Sequence, residues 1–555
     1  KKFIKYYDPE IFIAAGRKIR NTVKSADELL PTERVQKISQ LFTCFKNPDK
    51  ETVLTPWRVV NMHMSDCLGG YDFYDAEHNV LIEVPRYVDQ GKVTAETLGN
   101  VNAQILEINS KTGLYPLFVA YSIFRSKCSG YSEEQLTDEL QEKLWADTVK
   151  ENVYVICKTP MAKSITKRTL VGFKDLTVNA HYFDDLINMM KNKPKQFTSR
   201  VLKPSYWKKE GVKEMKFDAV VGNPPYQESI SSDTDNASLG KQLFPYFIIN
   251  SIGLRPKYVS LITPSRWFTG DAQDKSFKKL RDFIKENNHM LKLFNYKDEK
   301  ELFSNVEIKG GINYFLFKDG YNGQVEFVNC IEGERKSTIR NLFEDGMDII
   351  ISNSDDFPIL NKVRSVNFVP LTQITTGRNA FGIIGKQSNV DKVSSAQPFD
   401  GCCELRCKGN EIRYIKRDIV KKNIEIFEKY KVFISKSAGN PNSDFKVIGM
   451  PYIGKPFTAC TDSLIPIGKF DTIDEANHLE KYLKSKFLRF LVSILKTSQN
   501  VTQIVYGFVP LQDFTTKSDI DWSKSVSEID SQLYAKYGLT EEEISYIEEK
   551  IKPME

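Results

Sequence analysis

FDAVVGNPPYQES, residues 217–229, sets an apolar run directly against Asn-Pro-Pro-Tyr. Phe217–Val221 reads as a buried strand, and Gly222 as a hinge at its end. Pro224 and Pro225 donate no backbone hydrogen bond and cannot continue a helix. Asn223, ahead of a proline, is driven toward extended backbone. The stretch is therefore a strand followed by a stiff polar turn. In open α/β sheets the carboxyl ends of the strands are where ligands bind.

Outward from this point the chain alternates. Upstream, NAQILEINSKTG, ENVYVICKTPMA and LTVNAHYFDDL are strand-to-turn segments, each followed by a helical pattern. Downstream come helix FPYFIINSIGLRP, strand KYVSLITP, and strands on either side of a Gly-containing loop in HMLKLFNYKDEKELFSNVEIKGGINYFLFK. Such alternation predicts an α/β domain with a doubly wound, mostly parallel sheet. Residues 1–50 read as a helical lead-in. Near residue 350 the texture changes to short strands and irregular loops, so a second domain of α+β type is expected. The expected organisation is a helical segment over 1–50, a catalytic domain over 51–355, a second domain over 356–540 and a closing helix over 541–555. Thr540 and Glu543 have the spacing of a capping box for that last helix.

Composition sets bounds on function. The 555 residues exceed one ordinary core. With 41% hydrophobic and 27% charged residues the chain is globular rather than disordered. No apolar run reaches the length of a membrane span, and no export signal opens the sequence, so a cytoplasmic protein without membrane contact is expected. Nine cysteines without a disulfide framework suit a reducing compartment. Cys402, Cys403 and Cys407 lack a CxxC pair and a nearby His, and only five His are present, so no metal site is expected. The net charge of +6 says little by itself. Its placement says more: Arg378, Arg413, Lys416, Arg417 and Lys436 fall among aromatic and Gly-rich stretches of the second domain, the composition of a nucleic-acid surface.

An exocyclic amine on a nucleobase is a poor nucleophile because its lone pair is delocalised into the ring. A side-chain amide oxygen and a rigid backbone carbonyl can accept its two N–H bonds and aim the nitrogen at an electrophilic methyl group. Asn223 supplies the amide, Pro224 the carbonyl, and Tyr226 a flat face for a base that has left the duplex stack. With these residues the stretch resembles motif IV of the amino-methylating DNA methyltransferases in its adenine-N6 form, NPPY. The order of motifs along the chain resembles the gamma class, and its texture is similar to the type IIG-like enzymes of bacterial restriction–modification systems. The resemblance implies a Rossmann-like methyltransferase domain with a C-terminal target-recognition domain, S-adenosylmethionine as cofactor and double-stranded DNA as partner.

Carried over residue by residue, the resemblance makes Asn223, Pro224, Pro225 and Tyr226 catalytic. LTPWRVVNMHM resembles motif X and places Thr55 and Pro56 over the cofactor. ILEINSKTG stands at motif I, with Glu107 near the methionine part and Gly113 as the closing glycine; Lys111 replaces an earlier glycine. VYVICKTPMA stands at motif II, where Cys157 replaces the acidic ribose ligand. HYFDDL resembles motif III and sets Phe183 and Asp184 beside the cofactor's adenine, with Asp185 the alternative register. LFSNVEIKGG resembles motif VIII, in which Phe303 would pack on the flipped base opposite Tyr226. NPPY also occurs in protein glutamine methyltransferases, but those lack a long basic C-terminal region. Two further readings stay open. One is the methyltransferase and specificity part of a larger restriction endonuclease, with a nuclease or translocase region upstream; no nuclease constellation is legible in YYDPEIFIAAGRKIR. The other, suggested by Lys111 and Cys157, is a catalytically silent DNA-recognition module.

Overall fold

A computed structural model of the chain describes residues 8–44, 54–227, 242–270, 272, 274–303, 306, 308, 310–344, 347–438, 447–496 and 501–554. The chain divides into two compact units, Lys1–Ile350 and Ile351–Glu555.

The first unit is built on a nine-stranded sheet. After the hairpin β1 (Gly70–Tyr74) and β2 (Leu81–Val88) come β3 (Ile105–Ser110), β4 (Val153–Cys157), β5 (Asn179–Tyr182), β6 (Ala219–Gly222) and β7 (Tyr258–Pro264). These are followed by β8 (Met290–Tyr296), β9 (Ile312–Lys318), β10 (Val325–Ile331) and β11 (Glu334–Arg340). The order across the sheet is β11-β10-β8-β9-β7-β6-β3-β4-β5. The run β7-β6-β3-β4-β5 is parallel throughout. β9 then enters antiparallel between β7 and β8, and β11 closes the edge antiparallel to β10. The sheet is thus mixed, and its parallel half carries the NPPY turn.

Every residue of β3, β4, β6 and β7 is buried. Successive side chains of a strand point to opposite faces, and the core divides accordingly. Val153, Val155 and Cys157 join one cluster with helix Leu114–Cys128, while Tyr154 and Ile156 join another with helix Phe244–Gly253. A sheet covered on both faces explains why its strands read as continuous apolar runs. β3 and β6 are neighbours in space although Gln104 and Asp218, which are hydrogen-bonded at their start, lie 114 residues apart.

The helical lead-in, Pro9–Ala26 and Pro31–Thr43, belongs to this unit. Buried Arg34 holds it, pairing with Asp27 at 3.1 Å and donating to the Leu170 carbonyl at 2.9 Å.

The second unit contains a four-stranded sheet, a three-stranded sheet and the helices Ile473–Lys484, Lys486–Leu495, Val526–Lys536 and Glu541–Lys550. Thr540 and Glu543 form the capping box of the last helix. Lys431 is fully buried, and its ammonium donates to the carbonyls of Phe427, Lys429 and Lys455, each at 2.9 Å. Cys403, Cys407 and Cys460 are buried thiols of this unit's core. Among the described residues no helix is long and apolar enough to cross a membrane.

Candidate active site at the carboxyl ends of β3, β6 and β7

Two backbone distortions bring the ends of β3 and β6 together. Gly222 has φ +147, and a Cβ there would lie 2.7 Å from the Ile108 carbonyl oxygen. Only glycine meets both demands, the backbone angle and the close approach. Opposite it, Asn109 takes a left-handed φ of 70 at a break in the β3–β4 register between Ile108 and Ser110. Its side-chain amide then donates to the main-chain carbonyl of Asn223 at 3.0 Å.

Asn223 is 4% exposed. Its Nδ2 donates to Thr55 Oγ1 at 3.0 Å, while its Oδ1 is buried with no partner among the described residues. Thr55 is placed for this because Pro56 caps helix Trp57–Cys67, whose buried face packs on the sheet. Tyr226 is half-buried against the same core, and its hydroxyl makes no hydrogen bond among the described residues. Burial pushes that phenol above its ordinary range, with the Asn223 amide and the Arg266 charge acting the other way.

Glu107 is 5% exposed, and its Oε2 also lacks a partner. It is the β-ladder neighbour of Val221, two residues before Asn223. Burial pushes its carboxyl up to about 8, against the pull of the Ser110 hydroxyl and the Lys111 charge. Lys111 is lowered to about 8 by burial, helped by Lys158 and opposed by Glu107. Gly113 has φ +78 and caps helix Leu114–Cys128; a Cβ there would lie 2.9 Å from Thr166 Cα. Buried polar atoms are normally hydrogen-bonded. Among the described residues Glu107 Oε2, Asn109 Oδ1 and Asn223 Oδ1 are three exceptions, on the adjacent strand segments of β3 and β6.

Beneath the site runs a buried chain. Ser260 Oγ donates to the Phe315 carbonyl at 2.8 Å, so it accepts from His63 Nε2, also at 2.8 Å. His63 Nδ1 then accepts from the Tyr115 hydroxyl at 2.8 Å. Burial lowers this imidazole to about 3, so it is a neutral strut with a fixed tautomer.

The remaining site expectations separate. Cys157 is buried at the end of β4, its thiol pushed up to about 12 by burial, and it offers no acidic group. Phe183 is 3% exposed; its ring meets Phe197 and Tyr206, and the Arg200 guanidinium lies 4.9 Å above it. Asp184 is exposed, whereas Asp185 caps helix Leu186–Asn192. Phe303 is 0% exposed within the core cluster that also holds Leu302 and Val306. This is the ring expected to pack on a flipped base, and it is buried among apolar neighbours in this structure. In the second unit Arg378 and Lys416 are exposed. Arg413 is held by Glu411 and Asp391, both at 2.7 Å, Lys436 by Asp462 at 3.4 Å, and Arg417 lies 4.5 Å over the Phe457 ring.

Two residues of the site escaped the sequence reading. Asn109 is one. The other is Arg266, just past β7, whose charge acts on Tyr226. Asn109 stands in the last two residues of buried β3 and Arg266 just past buried β7, and that position at the carboxyl ends is the signal that would have found them.

The geometry agrees with what the chain is similar to. Residues 151–303 match the family model of the Eco57I restriction-modification methylases. That stretch includes the NPPY turn and Arg266. A curated relative, an uncharacterized adenine-specific methylase of Mycoplasma pneumoniae, is 32% identical over 180 residues, which is 30% of this chain and 41% of the relative. The match therefore spans less than half of that relative's length. Among solved structures, the type IIL restriction-modification enzyme MmeI in complex with DNA has a TM-score of 0.49 at 9% identity, covering 81% of this chain and 73% of that one. A nuclease-deletion mutant of the type ISP enzyme LlaGI with a DNA substrate mimic has 0.49 at 12%, covering 81% and 45%.

Proposed function

We propose that the chain is a DNA methyltransferase of a restriction–modification system, transferring a methyl group from S-adenosylmethionine to adenine N6 at a specific site. The observation that carries this reading is Asn223. Its amide nitrogen is tied to Thr55, and its oxygen is buried and unpartnered at the end of β6. Such an oxygen is placed to accept an N–H from an amine. Asn109 occupies Asn223's own carbonyl, so the next carbonyl, that of Pro224, is the second acceptor. Held by both, N6 of a flipped adenine has its lone pair aimed rather than spread into the ring, and Tyr226 stacks on the base. Oriented dipoles do this work without a general base of shifted pKa.

The β3 and β4 ends fit the cofactor. Glu107 Oε2 and Asn109 Oδ1 are orphaned acceptors for a cationic, amine-bearing molecule, and Gly113 lets helix Pro160–Val171 close against the turn after β3. Pro56, Phe183 and Asp184 complete the set that would hold it, with Thr55 beside them tied to Asn223. When bound, it supplies an electrophilic methyl group. The second unit is the target-recognition domain in this reading, meeting double-stranded DNA with Arg378, Lys416 and Arg417, while a nuclease or translocase region elsewhere in the whole protein is its expected companion. A silent DNA-recognition module is the second reading, favoured by Lys111 beside Glu107 in the cradle and by Cys157 in place of a ribose ligand.

The test is expression in a host without adenine methylation, followed by single-molecule sequencing of its genome. Methyladenine at one recurring sequence is expected from the wild type, and none from Asn223→Ala, with cofactor and DNA binding retained. Unmodified DNA together with no heat of cofactor binding in calorimetry would leave the silent module.

A further inference from the structure

Most buried guanidinium groups in this fold are spoken for. Arg34 pairs with Asp27 and several carbonyls, and Arg281 donates to the carbonyls of Trp267 and Gly270 at 2.7 and 2.8 Å. Arg266 differs. Arg281 also has a buried Nε that makes no hydrogen bond among the described residues, but its Nη1 is held by two carbonyls; the Arg266 guanidinium makes no hydrogen bond or ion pair among the described residues, and its Nε is buried. Leaving such a donor unmatched is costly, so a ligand that supplies an acceptor gains from it.

The backbone around Arg266 is fixed. Ser265 Oγ donates to Asn295 Oδ1 at 2.7 Å, Trp267 is 1% exposed, and Gly270 N donates to the Arg266 carbonyl at 2.9 Å. The side chain is partly exposed and neighbours Tyr226. It also sits on the opposite side of the NPPY turn from the cofactor cradle. β7 lies two strand spacings from β3, about 10 Å. An anion met at Arg266 therefore belongs to the substrate rather than to the cofactor, and the anion of a DNA strand is its phosphate.

Resting on the function proposed above, we infer that Arg266 binds a backbone phosphate flanking the flipped adenine, holding the extruded nucleotide while Tyr226 stacks on its base. A fork of N–H donors suits a phosphate better than a point charge does. Burial lowers the guanidinium only to about 10, so it stays cationic at neutral pH.

The experiment uses the full chain and a duplex carrying the methylated sequence, with and without a methylphosphonate at the phosphates next to the target adenine. Arg266→Gln should weaken duplex binding about tenfold, with cofactor affinity and melting temperature unchanged. The neutral methylphosphonate should weaken wild-type binding by a similar factor, and the two changes together should do little more than either alone. Arg266→Lys, which keeps the charge and loses the fork, should fall between; it carries the comparison if the Gln variant melts early. Duplex binding by Arg266→Gln equal to wild type, or two losses that simply multiply, would overturn the assignment. A wild-type chain that binds no DNA would remove the function itself and this role with it.

Discussion

At Asn223 one hydroxyl decides how the amide is presented. Thr55 Oγ1 takes the Nδ2 hydrogen, which leaves Oδ1 facing the site. Thr55→Val keeps the shape and removes the hydroxyl, so kcat should fall about tenfold, the equivalent of about 1.4 kcal/mol, while cofactor Kd stays within about twofold; Thr55→Ser should restore turnover. A rise in cofactor Kd with kcat intact would make Thr55 a cofactor ligand instead. Glu107 carries a pH signature. Its folded-state pKa, about 8, lies above its ordinary value, so the folded chain keeps a proton there that the unfolded chain has lost. Stability from this source is complete below about pH 4.5 and declines until about pH 8. Glu107→Gln should flatten the fall in Tm across that window, measured by scanning calorimetry without cofactor. The place of Asn223 could be read from sequence because it follows directly on a buried apolar strand. The link from Thr55 to Asn223 could not, since it joins residues 168 apart. The burial of Phe303 was equally hidden, because a motif gives order along the chain and not which way a ring faces.

At the scale of elements, the turn depends on Gly222. Alanine there would have to hold φ +147 and push against the Ile108 carbonyl. A strained backbone of this kind costs about 1–3 kcal/mol, and in a unit of this size Gly222→Ala should lower Tm by roughly 1–4 °C on that basis. A melting curve superimposable on wild type would show that the strands can part without penalty. The parallel strands were legible because each is apolar from end to end and is followed by turn residues and a helical period. The insertion of β9 between β7 and β8 was not. Antiparallel and parallel pairing of two buried apolar strands leave the same composition, and only tertiary contact distinguishes them.

For the whole molecule, the chain divides into two compact units between Ile350 and Ile351. Because the second unit has its own buried core, the fragment 351–555 should fold by itself, with a cooperative thermal transition and dispersed amide resonances. Its stability should rise between about pH 7 and 10, because burial lowers Lys431 to about 7 and the folded chain sheds that proton before the unfolded one does. The basic character of this region was visible in the sequence, but the pairing of its cations was not, since one of the two carboxylates holding Arg413, Asp391, lies 22 residues earlier in the chain. The strand order has a further consequence during synthesis. β3 pairs with β6, and the residues that open their pairing are 114 positions apart. At about 5–20 residues per second, a ribosome needs roughly 6–23 s to deliver the second strand after the first. Throughout that interval the nascent chain carries Glu107 and Asn109 on a strand with one flank unpaired, an edge that a chaperone or an aggregating neighbour can reach before Asn223 has been made.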